Sequence, residues 1–190
     1  MSRDEHGLTT VAVIGSARIT QSDERWAEAF ETGRLLAESG YATMTGGYDG
    51  LMAATSSGAQ SAGGHTIGLP MNQWTHLAPH DSNQELRWSD DYAQRLSHLT
   101  AARYLIVLDG GIGTLSELSL AWAIAQTEDS FAEILVLGKQ IAGLVKELHR
   151  FLIVSDKDFQ IVKFFDAPSD VVRYMNSNHD VEVRDSKSHG

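Results

Sequence analysis

The 190-residue chain contains no cysteine. Disulfides, thiolate nucleophiles and thiolate-bound metals are excluded together. No lysine lies between Met1 and Gln126, so a pyridoxal cofactor held as a Schiff base has no anchor in that stretch. No apolar run approaches the roughly 20 residues that cross a bilayer, and the polar N-terminus lacks a signal-peptide pattern. The formal net charge is −10, whereas nonspecific nucleic-acid binding needs a basic face. Neither a membrane nor a nucleic-acid partner is expected, and a cytoplasmic enzyme is the simplest fit. A small anionic ligand stays admissible, because a few local donors override the overall field at short range. The eight histidines show no metal-ligand spacing, so no metal is expected.

Strand-like and helix-like segments alternate along the chain. Strands are predicted at Thr9–Ile14, Tyr41–Met44, His65–Leu69, Tyr104–Leu108 and Glu133–Leu137, with candidates near Glu85–Trp88 and Val162–Phe165. Helices are predicted over about Asp23–Ser39, Asp49–Ala62, Asp91–Ala102, Thr114–Gln126 and Ile141–Phe151, and again from Ser169. Repeated β-α-β units of this kind imply an α/β fold: a doubly wound, mostly parallel sheet with helices on both faces. The length suits one domain, residues 1–176, and the polar stretch 177–190 predicts a disordered tail.

Three predicted strands end in glycine turns, at Gly15-Ser16, Gly46-Gly47 and Gly110-Gly111. Ligands of doubly wound sheets lie outside the carboxyl ends of the strands, so the three turns are expected around one pocket. The third is the most informative. Leu105-Ile-Val-Leu-Asp-Gly-Gly-Ile-Gly-Thr-Leu-Ser-Glu117 runs from a buried strand through a glycine-rich turn straight into a helix. Backbone N–H groups of Gly110, Gly111, Ile112, Gly113 and Thr114 would then converge with the positive end of a helix dipole, an arrangement suited to phosphate. The first turn, Gly15-Ser-Ala-Arg, lacks the G-x-G-x-x-G pattern of nicotinamide dehydrogenases.

Two side chains have competing readings. Thr114-Leu-Ser-Glu117 fits a capping box, in which Glu117 only reaches back to the start of its helix. Alternatively, Glu117 faces whatever the phosphate is attached to. Arg95, in Asp91-Tyr-Ala-Gln-Arg95, is either a solvated helix arginine paired with Asp91 at i, i+4 or a ligand-side cation. Arg18, Arg87 and Arg103 are rival phosphate partners. Trp74 and Trp88 are candidates for the pocket rim.

Thr45-Gly-Gly-Tyr-Asp-Gly50-Leu-Met52, Ala62-Gly-Gly64, Asp91-Tyr-Ala-Gln-Arg95 and Gly110-Gly-Ile-Gly-Thr-Leu-Ser-Glu117 resemble, in order and spacing, the Lonely Guy (LOG) family. Its members are cytokinin riboside 5′-monophosphate phosphoribohydrolases, many once labelled lysine decarboxylases. The similarity spans roughly Val11 to Gln126. It implies a Rossmann-like fold, a homodimer or higher homo-oligomer, and hydrolysis of the N-glycosidic bond of a nucleoside 5′-monophosphate without metal or cofactor. AMP or an N6-substituted AMP would yield free base and ribose 5-phosphate. The resemblance makes Arg95 and Glu117 the catalytic pair, with Gly110, Gly111, Gly113 and Thr114 holding phosphate. Three departures stand out. Leu96 replaces the family's lysine. Asp109 replaces a proline, and a carboxylate there opposes phosphate unless it turns away. Tyr92-Ala93 replaces a Met-His pair and implies a reshaped base pocket. A non-catalytic carrier of nucleotide or molybdenum cofactor on the same scaffold is the alternative; it needs the anion nest but not Arg95 and Glu117 together.

Overall fold

The computed structural model describes residues 4, 6–128 and 132–188, with side chains as far as Asn178. Strands β1 (Thr10–Ile14), β2 (Ala42–Thr45), β3 (Thr66–Gly68), β4 (Glu85–Leu86), β5 (Tyr104–Val107), β6 (Glu133–Val136) and β7 (Val162–Phe164) form one sheet in the order β4-β3-β2-β1-β5-β6-β7. Every pairing is parallel. The two weakest sequence candidates became β4 and β7, the edge strands, where short length limits unwanted pairing.

The strands alternate strictly, as a sheet covered on both faces requires. Ala12 and Ile14 of β1, with Leu105 and Val107 of β5, face one core beneath α3 (Tyr92–Thr100), α4 (Ile112–Ala125) and α5 (Lys139–Phe151). Val11, Val13, Tyr104 and Ile106 face the other, beneath α1 (Glu24–Glu38), α2 (Leu51–Ser61) and α7 (Pro168–Ser188). The helix after β1 thus lies on one face and the helix after β5 on the other. Because β1 and β5 are neighbours, a crevice opens between their carboxyl ends, the usual ligand position in this architecture.

Two helical features depart from expectation. The four-residue α6 (Asp156–Phe159) is held by a capping box in which Ser155 and Asp158 bond each other's backbone N–H. Helix α7 continues to Ser188, through residues whose polarity predicts a tail. No glycine or proline interrupts the chain between Ser169 and His189, so nothing local stops the helix.

Helices α1 and α2 cross on glycine. A Cβ at Gly33 would fall on the Thr55 carbonyl oxygen, and one at Gly58 on the Phe30 carbonyl oxygen. Backbone cannot yield as a side chain can. Gly58→Ala is therefore expected to destabilise the protein by about 3 kcal/mol, at the upper end of overpacking costs. Its thermal midpoint should drop by roughly 6–12 °C. A midpoint within 2 °C of wild type would contradict the crossing.

Candidate functional site

A cleft of about 850 Å³ occupies the crevice. Its lining includes Ser16 and Arg18 after β1, Tyr48 after β2, Trp74 and His80 from the β3–β4 connection, Tyr92 and Arg95 of α3, and Gly111, Ile112, Gly113, Thr114 and Glu117 around the start of α4.

Helix α4 begins at Ile112, not at Thr114. Gly111 is the extended N-cap residue and, among the described residues, no side chain caps the helix, so the first-turn amides are left for another acceptor. A Cβ at Gly111 or Gly113 would meet no protein atom. Glycine inside a helix costs about 1 kcal/mol relative to alanine, and packing gives no reason for it at Gly113. The space it leaves open belongs to the cleft. Gly110 differs, because a Cβ there would collide with the Thr114 side chain. Thr114 is buried against that turn and is the third helical residue. Glu117 therefore lies at the sixth, too far along to close a capping box.

Asp109 turns away from the cleft. Its Oδ1 accepts the backbone N–H groups of Gln140 (2.8 Å) and Ile141 (3.0 Å), capping α5 in place of a local residue. The expected opposition to phosphate is thereby removed, and the carboxylate neutralises a second helix terminus instead.

Arg95 is not a solvated partner of Asp91. Asp91 caps α3 by accepting from Gln94 N at 2.8 Å, while Arg95 points inward and is only 4 % exposed. Its Nη1 donates to the carbonyls of Gly46 (3.1 Å) and Leu69. Its Nη2 lies 3.7 Å from Glu117 Oε1, a separation of an ion pair rather than a hydrogen bond. The guanidinium also faces Trp74 at 5.4 Å and Tyr48 at 5.9 Å from the ring centroids, and its Nε has no hydrogen-bond partner among the described residues. Gly46 lies beneath this group, since a Cβ there would strike Arg95 Nη2. Gly47 has φ +83, and a Cβ there would lie 3.1 Å from the Gly68 backbone. Gly46, Gly47 and Gly110 thus shape the wall from behind, whereas Ser16, Gly111, Ile112, Gly113, Thr114, Arg95 and Glu117 line the cleft.

Burial pushes the Glu117 carboxyl up to about 7, with Arg95 pulling in the opposite direction. A carboxylate so placed is held near the midpoint for proton transfer at neutral pH. Of the rival arginines, Arg87 pairs with Glu85 and Arg103 with Glu133, leaving Arg18 on the cleft. Trp74 lines it and the exposed Trp88 does not. Leu96 packs against the core beneath α3. Sequence reasoning missed Tyr48 and His80. The turn around Gly47 is a local signal for Tyr48; His80 sits in an irregular loop that offers none.

Fold and site together define a doubly wound, Rossmann-like α/β protein whose cleft joins an open helix N-terminus to a buried arginine–glutamate couple. The chain belongs to the SLOG cluster4 family, whose model matches residues 8–149, and is LOG-like. A cytokinin riboside 5′-monophosphate phosphoribohydrolase of Mycobacterium marinum is 34% identical over 122 residues, 63% of this chain and 65% of that protein. The chain thus spans just under two thirds of that relative. An uncharacterized protein of Archaeoglobus fulgidus is 25% identical over 171 residues, 90% of this chain and 97% of its own length. Among solved structures, the molybdenum cofactor binding protein of Rippkaea orientalis superposes with a TM-score of 0.71 at 23% identity, over 90% of this chain and 96% of the other. Among the described residues no helix is long and apolar enough to cross a membrane.

Proposed function

We propose that the protein is a phosphoribohydrolase that cleaves the N-glycosidic bond of a nucleoside 5′-monophosphate, AMP or an N6-substituted AMP. One observation carries this reading: Glu117, desolvated and 3.7 Å from Arg95, borders the same cleft as an uncapped helix N-terminus. A phosphate monoester on the amides of Ile112, Gly113 and Thr114, with Gly111 and Ser16 beside it, leaves the ribose next to Glu117. Bond cleavage develops positive charge on the ribose, which the carboxylate stabilises. Water adds to C1′ and gives a proton to Glu117, and the bonding pair departs with the base, which takes up a proton. Nucleotide and water thereby become ribose 5-phosphate and free base. Anchoring the phosphate supplies remote binding energy that positions C1′.

The test is incubation of the purified protein with AMP, N6-isopentenyl-AMP, CMP and GMP, followed by chromatography for released base. Release from an adenine nucleotide is expected. A specific observation favours a second reading, a non-catalytic carrier: Leu96 packs against the core, so this position of α3 adds no second cation beside Arg95. No release from any nucleotide, with tight uptake of molybdenum cofactor, would establish the carrier.

We also infer that two copies associate through the outer face of α4. Glu117 is the only charged residue of that 14-residue helix, and Ile112 is 82 % exposed. A twofold axis lets such an apolar face cover itself. Light scattering should give twice the chain mass for wild type and the single mass for an Ile112→Glu/Leu120→Glu variant. A monomeric wild type would refute this.

A further inference from the structure

His80 belongs to the long β3–β4 connection, yet its main chain is tied to the turn after β2. Its backbone N–H donates to the Gly47 carbonyl at 2.8 Å. Its own carbonyl accepts Asn83 Nδ2 at 2.6 Å, and the same amide donates to Gly47 at 3.0 Å. Gly47 is the left-handed residue of the turn that also contains Gly46, which lies under Arg95. His80 is therefore fixed relative to the Arg95–Glu117 couple.

The ring has a defined proton position as well. Ser82 N–H lies 3.2 Å from His80 Nδ1, with Ser82 Oγ at 2.8 Å from the same atom. A main-chain N–H can only donate, so Nδ1 acts as acceptor and carries no proton. In the neutral imidazole the hydrogen then sits on Nε2. Nε2 has no bonding partner among the described residues, and the ring borders the cleft. In the same cleft, Trp74 presents a ring backed at 5.7 Å by the buried Tyr48. A partly exposed tryptophan face beside a fixed edge donor suits a planar heteroaromatic ring that carries an acceptor nitrogen.

We propose that His80 Nε2–H is the hydrogen-bond donor that recognises an acceptor nitrogen on the edge of a purine base in this cleft. The inference rests on the nucleotide reading of the site and extends it to the leaving group. When the C1′–N bond breaks, its electron pair moves onto the base and its ring nitrogens become more negative. A donor already in place binds that state more strongly than the ground state. The proton stays on Nε2 throughout; the hydrogen that ends on the base comes from the attacking water through Glu117. His80 acts here as an electrophile, not as an acid.

The test compares wild type with His80→Phe, which keeps a flat ring and removes both nitrogens. Calorimetry with AMP and with ribose 5-phosphate separates base recognition from phosphate anchoring. The variant should bind AMP about tenfold more weakly, the worth of one hydrogen bond, while its affinity for ribose 5-phosphate is unchanged. That unchanged affinity also shows that the cleft remains folded. With 1-deaza-, 3-deaza- and 7-deaza-AMP, one analogue should show the same loss on wild type, and His80→Phe should add nothing to it. Equal losses for AMP and ribose 5-phosphate, or no loss for AMP, would overturn the proposal. Wild type that binds neither ligand would overturn the nucleotide reading itself, and this inference with it.

Discussion

Glu117→Gln is expected to slow base release by three orders of magnitude or more while the protein stays folded. Glutamine keeps the shape of the side chain but cannot carry the negative charge that faces the ribose. At about 1.4 kcal/mol per decade, a thousandfold loss corresponds to roughly 4 kcal/mol of transition-state stabilisation. The pH dependence gives a second readout. In the unfolded chain this carboxyl ionises near 4.5, and burial in the folded protein moves that to about 7. Between those values the folded state binds a proton that the unfolded state has released. Stability therefore falls as pH rises through that window and is level above it. The decline amounts to roughly 3 kcal/mol, and Glu117→Gln lacks it. Relative to wild type, the variant should gain about that much stability between pH 4.5 and pH 8, measured by urea unfolding at both. Wild-type kcat/KM should climb with pH to a plateau above about 7, since the carboxylate is the working form. A capping role predicts instead a loss of about 0.5–2 kcal/mol at every pH. Parallel stability curves with retained turnover would remove Glu117 from the mechanism.

The parts of this protein legible in its sequence are those set by local pattern. Alternating β-branched runs and helical segments with glycine punctuation place β1, β2 and β5 and put their turns on one edge. The Gly110–Glu117 run marks the helix N-terminus, and the resemblance to the LOG family assigns Arg95 to the same site. Errors arose where a residue type has two uses and a distant contact chooses between them. Thr114 is a good cap residue, yet the extended Gly111 starts the helix and Thr114 packs on Gly110. Asp109 looks hostile to phosphate until α5, some thirty residues onward, supplies two N–H groups to it. Arg95 and Asp91 have the spacing of a surface pair, but α3 needs Asp91 as its cap and turns Arg95 inward. Gly46 and Gly47 carry no pattern that tells a cleft-lining glycine from one behind the wall. His80 is the extreme case, because its position depends wholly on Gly47, Ser82 and Asn83.

Arg95→Met should move the pH profile of the reaction as well as lower its rate. Methionine approximates the aliphatic part of arginine, so most of the packing survives, whereas every donor is lost. The carbonyls of Gly46 and Leu69 lose their Nη1 partner, and leaving buried acceptors unpaired costs about 1–3 kcal/mol each. Breaking a buried ion pair often costs about 3–5 kcal/mol because the surviving charge is stranded. Glu117 escapes that penalty by keeping its proton. Arg95 is the group whose charge draws the carboxyl back down against burial, so its removal should send the midpoint of kcat/KM above 7 by a unit or more. A one-unit rise cuts the active carboxylate fraction at pH 7 about fivefold, on top of any lost contact to substrate. Arg95→Lys separates the two effects. A lysine restores a positive charge near Glu117 but not the planar fork that holds both carbonyls. Its profile should return toward 7 while its stability stays below that of wild type. Stopped assays across pH 5.5–9 with all three proteins decide the matter: if the midpoint is the same in each, Arg95 does not set the charge state of Glu117, and the couple reduces to an arginine that only braces the wall.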